Sequence, residues 1–197
     1  YDVITSEPSN PWLTGSSKLF TKEYFELLKK GIKEDGIVLQ WINLYALDIE
    51  GLKRVISAFN EVFPEVAAFG MVASNDLALV GSNNPIVFDK KHLLDLFRND
   101  DIRKNLSMIK IDFPFEILSY FILDKKSVDS LVGDTPANTD NNPYVEFFAP
   151  RSLYQPTRVN PWALIYDNLS EITDEKADRF RRARLLTHIH FIEKNVG

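Results

Sequence analysis

The chain contains no cysteine among its 197 residues. That excludes disulfides, thiolate metal sites and a cysteine nucleophile. It fits a cytoplasmic setting, where thiols gain nothing from pairing. No uncharged apolar run approaches the roughly 18 residues that cross a bilayer. The first residues also lack the basic start and apolar stretch of a secretory signal. Basic residues are outnumbered: 23 Lys and Arg stand against 28 Asp and Glu, for a net charge of −5. A nucleic-acid backbone binder presents a basic face, so no nucleic-acid partner is expected. Glycine is sparse, with 8 in the chain. No G-x-G follows a strand-like run, so the loop that would hold a nucleotide or adenosyl group is not expected here. The chain opens on Tyr1 rather than Met. The expectation is therefore a fragment of a longer protein, with half of the fold or a membrane part lying upstream.

What is present is a packed core. Apolar residues make up 45 % of the chain, as in ordinary globular domains. Tyr1 to Thr5 reads as a strand with Val3 and Ile4 in the core. Thr21 is placed to cap a helix through about Lys30, with Phe20, Phe25, Leu28 and Ile32 along one side. After the Lys33-Glu34-Asp35-Gly36 turn, Ile37 to Trp41 is nearly all apolar, the mark of a strand covered on both faces. Asp48 caps a second helix, whose Leu52, Val55, Ile56, Phe59 and Phe63 repeat at helical spacing until Pro64. Val66–Val72 and Asp76–Val80 read as two more strands, close enough to form a hairpin with an antiparallel strand at the sheet edge. The alternation is that of the second half of an α/β doubly wound sheet.

Beyond Pro85 the pattern changes. Lys91–Arg98 and Ile102–Met108 read as short helices, and Pro114–Leu123 as a third. Asn138-Thr139-Asp140-Asn141-Asn142-Pro143 is a dense turn, and Tyr144–Phe148 alternates like a strand. Residues 156–161 read as a linker, and Trp162–Asn195 as one or two helices. The expected division is 1–85, half of the α/β domain; 86–155, the C-terminal part of the same domain; and 156–197, a helical appendage.

Two clusters invite a sharper reading. The Asx-rich stretch 138–142 suggests a calcium loop, but it lacks the Gly and the terminal Glu of that motif. A structural turn is preferred and no metal is expected. The run Arg179, Arg181, Arg182, Arg184 with His188 and His190 suggests phosphate binding. The acidic balance favours a solvated helix face instead, and two histidines at i, i+2 point to different faces.

Three separated motifs carry a resemblance. They are Ser6-Glu7-Pro8-Ser9-Asn10-Pro11-Trp12 after the first strand, Val38-Leu39-Gln40-Trp41, and the segment Asn138 to Arg151. Together with Ser17–Phe25, they resemble the spermidine/spermine synthase family, the aminopropyltransferases. Within it, the likeness is to the spermidine synthase-like subgroup often fused to membrane segments. The resemblance covers about residues 1–155. It implies a methyltransferase-like, Rossmann-type fold of which this chain is the C-terminal half. It also implies a small amine as acceptor, and decarboxylated S-adenosylmethionine or S-adenosylmethionine as donor, held mainly by the missing half. A parent attached to a membrane with this part in the cytoplasm is implied as well.

In the family the strand corner reads D-x-x-D. The first Asp takes a proton from the attacking amine and the second helps hold it. These positions fall on Glu7 and Asn10. The family's strand Gln falls on Gln40. Its Tyr-containing loop is shortened here to Ala73-Ser74-Asn75-Asp76, without the tyrosine. The chemistry agrees with a carboxylate at such a corner. The electrophile is an activated sulfonium, while an amine of pKa near 10 must lose a proton to attack. The resemblance thus makes Glu7 the catalytic base, with Asn10, Gln40, Trp12 and Asp76 as substrate contacts. The plainer alternatives are a solvated carboxylate at Glu7, an Asx-turn at Asn10 and a packing anchor at Trp12. Gln40 either faces the cleft or satisfies a backbone group.

Two other functions fit the same residues. An amine methyltransferase is suggested by Asn10-Pro11-Trp12. A non-catalytic interaction module is suggested by the altered Asp and the lost tyrosine. A cut sheet also leaves an open edge, so a homodimer or higher oligomer is expected.

Overall fold

The computed structural model describes residues 1–11, 13, 15–44, 47–71, 76–152, 161–172 and 175–196; at 71, 152, 176 and 187–196 the description is of the backbone. The chain forms two compact units, Tyr1–Ile86 with Ile122–Ser170, and Val87–Phe121 with Glu171–Gly197.

The first unit is built on a mixed α/β sheet. Strand β1 (Val3–Ser6) leads through a 3-10 helix (Ser16–Phe20) and α1 (Lys22–Gly31) to β2 (Ile37–Asn43). Helix α2 (Ile49–Val62) then leads to β3 (Glu65–Met71) and β4 (Asp76–Ser82). The strand order is β1-β2-β4-β3-β5, with β5 at Phe121–Leu123. β1 and β2 are parallel, as a strand–helix–strand crossover requires. β4 runs antiparallel to both β2 and β3.

Both expected caps are present. Thr21 accepts the Tyr24 N–H at 3.4 Å and Asp48 accepts the Gly51 N–H at 2.7 Å, each satisfying an otherwise orphan first-turn donor. Helix α2 buries Leu52, Val55, Ile56, Phe59 and Val62. Its Phe59 ring lies 5.0 Å from Phe25 and 4.6 Å from Phe63. Phe63 is extended before Pro64, which disfavours a helical residue ahead of it. The helix lies so close to β4 that a Cβ on Gly81 would fall 2.5 Å from the Phe63 ring. Glycine there is a packing requirement.

Three expectations are corrected. The antiparallel strand is not at the edge: β4 lies inside the sheet, and all seven of its residues are buried. A strand apolar on both faces is stable where it has a ladder on each side. Pro114–Leu123 is not one helix. Helix α5 (Pro114–Leu118) stops at Ser119, whose hydroxyl donates back to the Glu116 carbonyl, and β5 then joins β3. Tyr144–Phe148 is the start of helix α7 (Tyr144–Ser152), not a strand. Its alternation also satisfies a helical period: Val145 and Ala149 are buried together, and Tyr144 stacks on Phe148 at 4.3 Å.

The unit is completed by α6 (Lys125–Val132) and α8 (Pro161–Tyr166), whose Trp162 is fully buried. The second unit holds α3 (Lys90–Leu96), α4 (Asp100–Met108), α5 and α9 (Glu175–Val196). The arginine run divides there. Arg181 is buried and pairs with Asp178, whereas Arg182, also paired with Asp178, is solvated. Arg184 donates to Ser119 at 2.8 Å and covers the Tyr120 ring at 4.0 Å. The helix face expected to be solvated is therefore partly a packing face, because guanidinium groups stack on rings and carbonyl-rich turns. Among the described residues no helix is long and apolar enough to cross a membrane.

Candidate functional site

The site is built at one end of the sheet. β1 ends at Ser6, in parallel register with Gln40. β2 runs three residues further to Asn43, which pairs with Asp76 at the start of β4. The carboxyl ends of the two parallel strands thus lie at the same sheet end as the beginning of β4. In α/β sheets this end is where ligand crevices form.

Glu7 leaves β1 at this end. It is exposed and makes no hydrogen bond or ion pair among the described residues. The corner behind it is tied down. The Asn10 carbonyl accepts the Leu13 N–H at 3.0 Å, the Leu13 carbonyl accepts the Ser16 N–H at 3.0 Å, and the Ser16 hydroxyl donates to the Ser9 carbonyl at 2.6 Å. Pro11 is buried. A corner held by its own backbone leaves the Glu7 carboxylate uncommitted. Trp12 and the loop at 73–75 lie outside the described residues.

Strand alternation sorts the other candidates. Val38, Gln40 and Ile42 are buried together, and Ser6, level with Gln40, bonds the Tyr24 hydroxyl of α1 at 3.0 Å. Gln40 therefore lies on the face covered by the helices. It is fully buried; its Nε2 donates to the Trp41 carbonyl at 3.1 Å, and its Oε1 has no partner among the described residues. Asn43 and Asp76 lie on the opposite face, by the same alternation. Asp76 is 6 % exposed, and its Oδ1 accepts from Asn43 Nδ2 at 2.6 Å. The structure thus brings Asp76 together with Asn43, and sets Gln40 on the other side of the sheet. Asn43 is a residue that sequence reasoning missed. The one available signal was a polar residue closing an otherwise apolar strand.

The Asx-rich stretch is an anchor for this corner. Asn138 is fully buried. Its amide donates to the Phe20 carbonyl at 2.9 Å and accepts the Val145 N–H at 3.2 Å. Its backbone N–H donates to the Arg54 carbonyl, and its carbonyl accepts the Lys22 N–H. One residue thereby ties the 3-10 helix after the corner to α1, α2 and α7. The following turn closes through Thr139 Oγ1, which accepts the Asn142 N–H at 3.0 Å, and through Glu23, which accepts the Asp140 N–H at 2.9 Å. Among the described residues no three His, Asp or Glu side chains group to hold a metal. A cavity of about 370 Å³ lies in the second unit, between Phe88, Phe115, Phe121 and Ile172, and contains none of the candidates.

Residues 1–74, which hold the corner, α1, β2, α2 and β3, match the model of the spermine/spermidine synthase domain. Over that stretch, somewhat more than a third of the chain, the sequence is similar to that domain. The synthase-domain match takes in Glu7, Asn10 and Gln40, and stops short of Asp76 and Asn138. Among curated proteins no sequence matches the chain. Among solved structures, the chain is similar to the crystal structure of a probable spermidine synthase from Corynebacterium glutamicum ATCC 13032. The two are 19 % identical with a TM-score of 0.48, and the match covers 71 % of this chain and 47 % of that one. The match spans less than half the length of that protein.

Proposed function

We propose that this chain is the acceptor-side part of a spermidine synthase-like transferase, which moves an aminopropyl or related group from an S-adenosyl-type donor to an amine. The observation that carries the reading is Glu7: an unclaimed carboxylate on a rigid corner, at the ligand-bearing end of the sheet, within the matched domain. In the reaction the amine lone pair attacks the carbon bonded to the sulfonium. The new C–N bond forms as the C–S bond breaks, the thioether leaves, and the amine proton passes to Glu7. In-line placement supplies much of the acceleration. Asn10 offers a further polar contact to the amine and Asp76 a carboxylate, whereas Gln40 lies buried on the opposite face of the sheet from Asp76. Among the described residues no glycine-rich loop follows a strand, so no donor-binding residue is assigned within them. The cytoplasm is the setting this reading assumes.

The test is to supply the full-length protein with decarboxylated S-adenosylmethionine, or S-adenosylmethionine, together with a panel of amines. Transfer is expected, and Glu7→Gln should slow it by about 10²–10⁴-fold, the usual contribution of a positioned proton acceptor. Methylated amine from S-adenosylmethionine alone would identify an amine methyltransferase. Neither product nor donor binding would leave an interaction module.

A further inference from the structure

We infer that the cavity of the second unit is a binding site for an aromatic α-amino acid, its side chain among the rings, its carboxylate on Lys90 and its ammonium on Glu171. The inference does not depend on the transferase reading.

The cavity measures about 370 Å³, and all of its lining belongs to that unit. Phe88, Phe115, Leu118, Phe121 and Ile172 form apolar walls, and Lys90 and Glu171 are the charged members. Among the described residues of the unit, the buried apolar side chains are those of Phe97, Ile111 and Ala177. The five apolar wall residues are half-buried or exposed. Three of the unit's phenylalanines thus surround a gap instead of closing on one another, although protein interiors otherwise pack to the density of organic crystals. A ring placed there regains the dispersion contacts that the gap forfeits, and finds ring faces and edges to pack against.

The walls are set before any ligand arrives. Phe115 and Leu118 stand three residues apart on α5 and so share a face. Helix α5 is held at its start by Glu116, whose Oε2 accepts the Asp112 and Phe113 N–H groups at 2.6 and 3.0 Å. It is held at its end by Arg184, which donates to the Ser119 hydroxyl at 2.8 Å. Phe88 meets Phe121 edge to face, with 5.1 Å between ring centres. Fixed walls lose little freedom on binding.

The head group follows from the charges. Lys90 Nζ lies 5.1 Å from the centre of the Phe115 ring, which draws the ammonium onto the apolar wall. An ammonium carries three donors, enough for a ligand carboxylate beside other partners. Glu171 is exposed and makes no hydrogen bond or ion pair among the described residues. A guest with a carboxylate alone would meet Lys90 and be repelled by Glu171, and a guest with an amine alone would face the reverse. A zwitterion answers both charges at once. Apolar walls with a few polar groups to fix orientation are the usual make-up of a small-molecule pocket of this size.

The experiment is calorimetric binding of four compounds to the full-length protein. They are L-phenylalanine; 3-phenylpropanoate, which lacks the ammonium; 2-phenylethylamine, which lacks the carboxylate; and glycine, which lacks the ring. Wild type is expected to bind L-phenylalanine about tenfold or more tighter than each of the others, the worth of one charge-assisted hydrogen bond or of a buried ring. Glu171→Gln should bring L-phenylalanine to within about threefold of 3-phenylpropanoate while keeping its preference over 2-phenylethylamine. Lys90→Gln should do the converse. Both side chains are exposed, so both variants are expected to fold. Absence of L-phenylalanine binding by wild type overturns the inference, as does equal binding of the three ring compounds or an unchanged preference in either variant. None of these outcomes touches the transferase reading, which the Glu7→Gln assay measures separately.

Discussion

Asn138 shows how much one amide can organise. Its side chain and backbone polar groups contact four different segments, and it is fully buried. Asn138→Ala would strand the Phe20 carbonyl and the Val145 N–H in the interior. Each buried orphan costs about 1–3 kcal/mol, so a loss of about 2–4 kcal/mol in urea unfolding is expected, with an unchanged m-value. The role of Asn138 was only half legible. Its turn chemistry was plain, because Asx residues before a proline announce a turn. Its function as a buried tie was not, since that depends on partners as far away as Phe20. The same contrast separates Asp48 from Asn43. Asp48 caps the helix beginning beside it, a local event. Asn43 acquires meaning from Asp76, across the sheet.

At the scale of elements, local signals read well and pairing signals do not. Helices α1 and α2, and strands β2, β3 and β4, follow from period and caps. The interior place of β4 does not, because strand order is decided by which ladders close. Helix α7 was misread because five residues satisfy both periods until the partners are known. Helix α6 carries an acid-sensitive cap. Burial pushes the Asp124 carboxyl up, but the Ser127 N–H and the hydroxyls of Ser127 and Ser170 outweigh it and hold the carboxyl below its ordinary value. A lowered native pKa means the cap stabilises above the unfolded carboxylate range and fades as pH falls through the native value. Asp124→Ala should therefore cost about 1 kcal/mol at pH 7. The gap between variant and wild type in thermal melts should shrink below about pH 4.

At the scale of the molecule, the open side of β1 dominates. Among the described residues β1 ends the strand order and pairs on one side, with β2. Val3 is 55 % exposed. An apolar strand edge of this kind attracts a further strand or a second copy. As part of the proposed function, the chain is expected to self-associate, and light scattering across a wide concentration range should show dimer or larger. A monomer throughout would count against it. The acidic net charge of −5 opposes indiscriminate clumping, so association should be confined to that edge.

Helix α8 carries a consequence of its own. Trp162 is sealed from water, stacked on Tyr166 at 5.9 Å and pressed so close to Gly70 of β3 that no side chain would fit between them. An indole in that setting emits at the blue end of its range, while the partly exposed Trp41 on β2 emits further to the red. With Trp12 replaced by Phe, the protein would carry two lamps of different colour, one on α8 against β3 and one on β2. The order in which they change during unfolding would tell which side of the sheet lets go first.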